Sequence, residues 1–233
     1  MPTSKYLSQY SSQSRAEISQ RFFKTGKGQY GAGDVFIGVT VPDVRIVAKQ
    51  NKELSFEQLE KLLHSKIHEE RLLALLILVE QFKKGTEAQQ KSIARFYLAQ
   101  LDRVNNWDLV DLSADKILGA WLYERSRTPL YKLVRSKNLW ERRVAIISTF
   151  YFIRHHDFKD TLRLAEMLLN DQHDLMHKAV GWMLREVGKR DESVLLKFLD
   201  KHAPAMPRTA LRYALERLPE AHRKYYLKLQ PTK

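Results

Sequence analysis

The feature that most constrains the fold is a short motif that recurs along the chain at intervals suited to a pair of helices. A basic residue followed by small or aliphatic side chains occurs at residues 71–74 (RLLA), 143–146 (RVAI), 178–181 (KAVG) and 208–211 (RTAL). The last three are 35 and 30 residues apart, and the first gap of 72 residues holds two such intervals, with Trp107 at its midpoint. Two-helix repeats of the HEAT type recur at similar intervals.

The local patterns agree with helices and not with strands. Apolar residues recur with a period near 3.6, as at residues 162–169, and Asn-Gly or Asp-Gly hairpin turns are absent from the sequence. Helix starts are indicated by the capping-box pattern at residues 55–58 (SFEQ) and by Pro42, Pro129 and Pro207, since a first helical turn tolerates proline. We therefore predict an all-α fold, a curved HEAT-like helical solenoid with a basic concave face; the alternative is an irregular helical bundle.

The predicted domain organisation is a single repeat domain over residues 1–233. Residues 1–54 are expected to hold N-terminal helices and a glycine-rich connection, residues 55–218 the helix-pair repeats, and residues 219–233 a C-terminal tail. A chain of this length can bury a substantial core. Nothing in the repeat pattern requires the protein to form oligomers, so we expect a monomer.

The charge balance points to a polyanionic partner. Forty Lys and Arg residues against 27 Asp and Glu give a formal net charge of +13 and a pI near 9.8, and an excess of this size usually faces nucleic acid. The absence of cysteine excludes disulfide and thiolate chemistry. No signal-type apolar run begins the chain, and no stretch approaches the roughly 20 apolar residues of a membrane span. We expect a cytoplasmic protein with no membrane partner.

Basic residues near the start of successive second helices would form a stripe for DNA phosphates, because second helices line one side of a stack of helix pairs. The predicted stripe contains Arg71, Arg142, Arg143, Lys178, Arg185, Arg208 and Arg212. Lys24 and Lys27 lie in or beside residues 26–31 (GKGQYG), which match a dinucleotide-binding pattern but follow a predicted helix end instead of a strand. We interpret that segment as a connection whose lysines can contact phosphate.

Two pairs of histidines stand four residues apart, His64 with His68 and His173 with His177. Two histidines on a helix face lack the third ligand and the adjacent carboxylate of a metal site. We interpret all four as polar surface residues, and we predict a protein that uses neither a metal ion nor another cofactor.

One segment combines an aromatic and an acidic side chain on the same predicted helix face. In the sequence VNNWDLVD, Asn105 or Asn106 can cap a helix, and Asp108 suits the positive end of the helix dipole. Neither helix capping nor the helix dipole explains an aspartate at position 111. Asp111 lies one turn after Trp107, so the indole and the carboxylate share a face. The alternative is a tryptophan packed between helices beside a solvated aspartate.

Three motifs together resemble those of the AlkD-type DNA alkylation repair glycosylases. They are NNWDLVD at 105–111, WERRVAIISTF at 140–150 and KAVGWMLREVG at 178–188, and residues 22–39 are similar to the N-terminal segment of that family. The resemblance covers about residues 15–225. It implies a HEAT-like fold and a DNA N-glycosylase that hydrolyses the N-glycosidic bond of positively charged N3- and N7-alkylated purines, such as 3-methyladenine and 7-methylguanine, in double-stranded DNA.

The resemblance also assigns roles to Trp107 and Asp111 in the first motif, Arg143 in the second and Trp182 in the third. We hypothesise that Asp111 stabilises the oxocarbenium-like sugar and positions a water molecule. Both indoles would flank the cationic base, and Arg143 would hold a neighbouring phosphate. The alternatives are a catalytically silent HEAT-like scaffold that binds nucleic acid, and an interface between helical proteins that is anchored by the aromatic residues.

Overall fold

The computed structural model describes residues 2–229, and helices make up nearly all of the regular structure in them. Among these residues the β pairing is limited to an isolated parallel bridge between Val35 and Ile67, which confirms the predicted all-α class. The helices are α1 (Gln13–Phe22), α2 (Val41–Gln50), α3 (Phe56–Leu63), α4 (His68–Lys84), α5 (Glu87–Ala99), α6 (Trp107–Ala114), α7 (Ala120–Leu122), α8 (Thr128–Leu133), α9 (Leu139–Arg154), α10 (Lys159–Met167), α11 (Asp174–Gly188), α12 (Glu192–His202), α13 (Arg208–Leu215) and α14 (Glu220–Lys228). None of these helices is both long and apolar enough to cross a membrane.

Polar residues and prolines begin the helices where the sequence pattern indicates. Ser55 forms a full capping box with Gln58 at α3, and the Asn106 side chain accepts the first N–H of α6. Pro42 lies in the first turn of α2 and Pro129 in the first turn of α8. The polar caps satisfy backbone donors that every helix start leaves without a helical partner.

The helices pack as pairs around two central helices. The central helix α4 contacts α2, α3, α5 and α6, and α11 contacts α9, α10, α12 and α13. A helix covered on several sides has to be apolar all round, and the side chains of residues 72–78 in α4 are all buried. Each Leu or Ile buried in this way contributes about 1.5–3 kcal/mol of transfer free energy. The predicted helix-pair repeat is confirmed.

The glycine in the third copy of the repeated motif lets two neighbouring second helices approach closely. A Cβ atom on Gly181 of α11 would lie 2.4 Å from the carbonyl oxygen of Ala210 and 2.5 Å from the Cβ of Tyr213 in α13. These distances are far shorter than the 3.5–4.0 Å at which non-bonded atoms attract each other. A glycine at this position therefore permits the observed spacing of α11 and α13.

A basic residue at the repeated position or directly before it closes the turn that precedes the second helix in three pairs. In three pairs a basic side chain donates to the carbonyl oxygen six residues before it. These bonds join Arg71 to Ser65 at 3.0 Å, Arg142 to Ser136 at 3.0 Å and His177 to Asp171 at 2.5 Å. We call them the turn-closing bonds. They satisfy carbonyl groups that the turn leaves without helical partners. A basic residue near the start of these three second helices therefore has a structural role within its own pair.

The chain divides into two compact units between Leu118 and Gly119, inside a π-helical turn that spans Asp115–Gly119. The first unit holds α1 to α6, and the second holds α7 to α14. The single domain over residues 1–233, the curvature and the basic concave face stay predictions.

The predicted C-terminal tail begins with a helix. In α14, Tyr226 is buried and its hydroxyl donates to Asp200 Oδ1 at 2.6 Å, which docks the helix on α12. The sequence pattern missed α14 because its polar residues outnumber its apolar ones, and one buried tyrosine gives no periodic signal. Residues 230–233 of the predicted tail lie outside the described residues.

Candidate functional site

Helix α6 carries the tryptophan and the aspartate that the sequence pattern placed on one face. Asn106 is fully buried, and its Oδ1 accepts the Trp107 N–H at 2.8 Å, which fixes the start of the helix. Leu109 and Val110 are buried in the core of the first unit. Trp107 and Asp111 stand one turn apart, and both are half-buried. The two side chains therefore lie on the more exposed side of α6.

The indole of Trp107 belongs to an aromatic cluster at the end of α1, which we define as Phe22, Phe23 and Trp107. The indole stacks on Phe23, with ring centroids 5.2 Å apart and ring planes 10° from parallel. Phe22 meets the indole edge-on at 6.0 Å and is itself 62% exposed. An aromatic surface of this kind can stack on a nucleobase, an interaction worth about 1–3 kcal/mol per base.

A buried histidine lies behind the aromatic cluster. His68 Nδ1 is 3.0 Å from Asp34 Oδ2, and His68 Nε2 is 2.8 Å from Asp108 Oδ2. The imidazole stacks on Phe36 at 4.5 Å and approaches Phe23 at 5.1 Å. We call Asp34, His68 and Asp108 the carboxylate–histidine bridge. It joins α4, α6 and the segment that precedes α2.

The prediction that His68 is a polar surface residue is wrong, because this residue is 1% exposed. His64 caps the end of α3 and is exposed, whereas His68 begins α4. The spacing of four residues therefore spans a turn between two helices and does not describe one helix face. Within residues 2–229, no group of three His, Asp or Glu side chains is arranged to hold a metal ion.

The imidazole at the centre of the bridge carries a buried positive charge. Burial alone would lower the pKa of His68, but the charge of Asp108 and hydrogen bonds with Asp108 and Asp34 outweigh it and raise the pKa to about 9. The imidazole is therefore protonated at neutral pH, and both ring N–H groups donate. Burial acts to raise the pKa of Asp34, but the hydrogen bond from His68 and the charge of Arg71 hold it below its usual value. The negative charges of Asp34 and Asp108 and the positive charges of His68 and Arg71 thus compensate one another in the protein interior.

The glycine-rich segment forms a tight turn against the start of α6. A Cβ atom on Gly31 would lie 2.4 Å from the carbonyl oxygen of Phe23 and 3.5 Å from Nδ2 of Asn106. Asn106 Nδ2 also donates to Asp34 Oδ2 at 3.1 Å. The segment that matches a dinucleotide-binding pattern follows α1, as predicted, and it holds the end of α1 against α6.

The other two residues of the family motifs lie in the second unit. Trp182 on α11 is half-buried, and its ring centroid is 5.8 Å from that of Phe150 on α9. Arg143 on α9 is 4% exposed, and its Nη1 donates to the carbonyl oxygen of Leu175 at 2.5 Å. The structure thus brings the tryptophan and the aspartate of the first motif together, and it holds Arg143 and Trp182 in a separate unit.

Most of the predicted phosphate ligands have partners inside their own unit. Arg71 is 4% exposed and pairs with Asp34 at 2.6 Å, and the phosphate contact predicted for it stays a prediction. The other pairs are Arg142 with Asp171, Arg185 with Glu216, Lys178 with Asp174, and Arg208 with the carbonyl oxygen of Leu227. Lys24, Lys27 and Arg212 are exposed.

Sequence reasoning missed the carboxylate–histidine bridge. Its members are 34 and 40 residues apart along the chain, and the helix dipole already gave Asp108 a sufficient local explanation. A usable signal was the sequence HEER at residues 68–71, which begins the most apolar stretch of the chain. Charged side chains at the head of a buried helix need buried partners of opposite charge.

The fold and the site define a helical-repeat protein that presents an aromatic surface beside a carboxylate. The sequence profile of the family described as DNA alkylation repair enzyme matches residues 3–218. The chain belongs to this family, which confirms the resemblance drawn from its motifs. Among curated proteins, none matches the chain significantly.

Solved structures of low sequence identity share the fold. A predicted DNA alkylation repair enzyme from Enterococcus faecalis has a TM-score of 0.69 at 17% identity, over 90% of this chain and 97% of that chain. The protein smu.31 from Streptococcus mutans UA159 has a TM-score of 0.59 at 16% identity, over 77% and 93%. AlkD2 from Streptococcus mutans has a TM-score of 0.55 at 15% identity, over 92% and 94%. At such identities the likeness shows the fold alone.

Proposed function

We propose that this DNA alkylation repair family member is a DNA N-glycosylase that releases positively charged N3- and N7-alkylated purines from double-stranded DNA. The observation that carries the proposal is the pairing of Trp107 with Asp111 on α6. A half-buried indole, supported by Phe23, stands one turn from a half-buried carboxylate. An aromatic face attracts a cationic base by about 0.5–2 kcal/mol, so this surface favours a damaged base over a neutral one.

The chemistry suits a site with a carboxylate and no dedicated acid. An alkylated purine cation leaves with the electron pair of the C1′–N bond and becomes a neutral base, so its departure needs no proton. Positive charge then develops on the sugar, where the Asp111 carboxylate stabilises it electrostatically. A water molecule held by the same carboxylate attacks C1′ and loses its proton to Asp111 and then to solvent.

The second unit is proposed to supply further contacts with the lesion and its backbone. Trp182 provides a second aromatic face for the base. Arg143 holds the phosphate beside the lesion with its forked guanidinium, whose Nη1 also donates to Leu175. The proposed phosphate ligands along the rest of the duplex are Lys24, Lys27, Arg71, Arg142, Lys178, Arg185, Arg208 and Arg212. The net charge of +13 supports this assignment.

The test is release of free base from a duplex that contains a single 7-methylguanine, with a matched unmodified duplex and a protein-free sample as controls. We expect the chain to bind both duplexes and to release 7-methylguanine faster than the protein-free sample does. Binding without release would overturn the proposal and favour the catalytically silent nucleic-acid-binding scaffold. Failure to bind either duplex would favour the interface between helical proteins.

The affinity for duplex DNA is expected to fall steeply with salt, because each neutralised phosphate releases counterions. Lys27→Ala should reduce the slope of log K against log salt by about 0.9 for duplex DNA. The matched control is Lys91→Ala, since Lys91 is an exposed lysine of α5 outside the proposed contacts. Fluorescence anisotropy at several salt concentrations measures both slopes. If the two variants behave alike, Lys27 has no phosphate contact.

A further inference from the structure

The carboxylate–histidine bridge holds both sequence neighbours of Trp107. Asp108, the residue after it, accepts from His68 Nε2 at 2.8 Å. Asn106, the residue before it, donates to Asp34 Oδ2 at 3.1 Å, and this same oxygen accepts from His68 Nδ1 at 3.0 Å. The backbone on either side of the indole is therefore tied to one buried imidazole.

The same imidazole supports the ring on which the indole stacks. Phe23 lies 5.1 Å from His68 and 5.2 Å from Trp107, between centroids. Phe36 closes the stack at 4.5 Å from His68 and 4.8 Å from Phe23. Because buried rings are close-packed, a displacement of the imidazole is passed on to its neighbours. His68 thus constrains Trp107 in two ways, through the backbone on either side of it and through the ring on which its indole stacks.

The charged groups that face His68 come from three elements. Asp34 precedes α2, Asp108 lies on α6, and α4 contributes Arg71 and Glu69. Arg71 pairs with Asp34, while Glu69 accepts the N–H groups of residues 37–39 at 2.8–3.3 Å and so fixes the end of that segment. Without the imidazolium, two buried carboxylates would share the single charge of Arg71. Such an uncompensated buried charge is strongly unfavourable.

We infer that His68 is a positioning residue for the proposed base release: held between two carboxylates, it sets the indole of Trp107 and, through α6, the carboxylate of Asp111 against the lesion. The inference rests on the proposed function. His68 is buried and does not touch the base, so it acts through Trp107. A misplacement of about 1 Å at a reacting group can cost on the order of 100-fold in rate.

His68→Gln is the informative variant, because glutamine can keep one hydrogen bond but carries no charge. Single-turnover release of 7-methylguanine should slow by about 10- to 100-fold, while the affinity for unmodified duplex stays nearly the same. The matched control is Leu195→Ala in α12, which removes a buried side chain in the second unit and leaves the bridge intact. Both are measured at a temperature where circular dichroism shows them folded, and Leu195→Ala should release base at the wild-type rate.

A second readout reports the position of Trp107 without any reaction. The four tryptophans can be replaced by 5-fluorotryptophan, and Trp107→Phe identifies the ¹⁹F resonance of Trp107. In His68→Gln we expect this resonance to shift or broaden and that of Trp182 to stay unchanged. If His68→Gln does not fold, Asp108→Asn, which keeps the imidazole but removes its nearest charge, should shift the same resonance.

The possible results distinguish failure of the inference about His68 from failure of the proposed function. An unmoved Trp107 resonance in the folded variant overturns the inference, even if base release is slower, because His68 would then act in some way other than through Trp107. A shifted resonance with an unchanged release rate also overturns it, since the position of the indole would not matter to the reaction. If the wild type releases no base, the proposed function fails, and the ¹⁹F signal still decides whether His68 positions Trp107.

Discussion

Replacing Asp111 with asparagine is expected to slow base release by about 10²- to 10³-fold, the usual cost of removing one preorganised electrostatic group from an active site. Asparagine has nearly the size of aspartate, so the half-buried face of α6 keeps its shape. It lacks the negative charge that, in the proposed mechanism, stabilises the oxocarbenium-like sugar, and it accepts no proton from water. Single-turnover release of 7-methylguanine from a defined duplex measures the rate.

The affinity of Asp111→Asn for DNA should stay close to that of the wild type, because the carboxylate makes no attractive contact with phosphate. Asp102→Asn is the matched control: Asp102 is an exposed aspartate of the first unit that pairs with Arg103 at 2.9 Å. The control should release base at the wild-type rate. A wild-type rate in Asp111→Asn would remove this residue from the mechanism.

The free energy of unfolding is expected to fall as pH rises from about 6.5 to about 9. The folded state raises the pKa of His68 from 6.5 to about 9, so it binds more protons than the unfolded chain in this window. Stability therefore decreases with rising pH. The contribution is fully present below pH 6.5 and lost above pH 9, and the difference corresponds to roughly 3 kcal/mol at 1.36 kcal/mol per pH unit. Urea unfolding at a series of pH values measures it.

The variant Asp108→Asn tests whether this loss of stability at alkaline pH comes from the carboxylate–histidine bridge. The charge of Asp108 is the largest influence that raises the pKa of His68, so its removal should move the loss of stability to lower pH. Asp191→Asn, at the cap of α12 in the second unit, should leave the pH profile in this window unchanged. A wild-type stability that is constant or rises between pH 6.5 and 9 would contradict a protonated His68.

The features that could be predicted from the sequence depend on local patterns. Helical periodicity identified the helices and the recurring motif identified the repeat. Asn105 or Asn106 indicated the start of α6, because a cap is decided by residues that are adjacent in sequence. The pairing of Trp107 with Asp111 follows from their spacing on one helix. The remaining members of the aromatic cluster could not be predicted, since Phe22 and Phe23 meet the indole only after α1 packs near α6.

The role of the basic residues in the predicted stripe could not be decided from the sequence. A guanidinium donates equally well to a phosphate oxygen and to a backbone carbonyl oxygen, so the same recurrence predicts either partner. In Arg71 and Arg142 the structure shows carbonyl and carboxylate partners inside one unit. The sequence HEER indicated buried charge at the head of α4, but the partners of His68 could not be predicted, because the three members of the bridge come from separate segments.

The turn-closing bonds also bear on the order in which the chain folds. Each spans six residues, and a loop of about ten residues closes in about 10–100 ns. Asn106 and Asp34, by contrast, are 72 residues apart, and contacts of long sequence separation form slowly. We expect each helix pair to assemble from its own turn first. The surroundings of Trp107 are then completed in a late step, so a chain with most of its helices formed would still lack the site of the proposed base release.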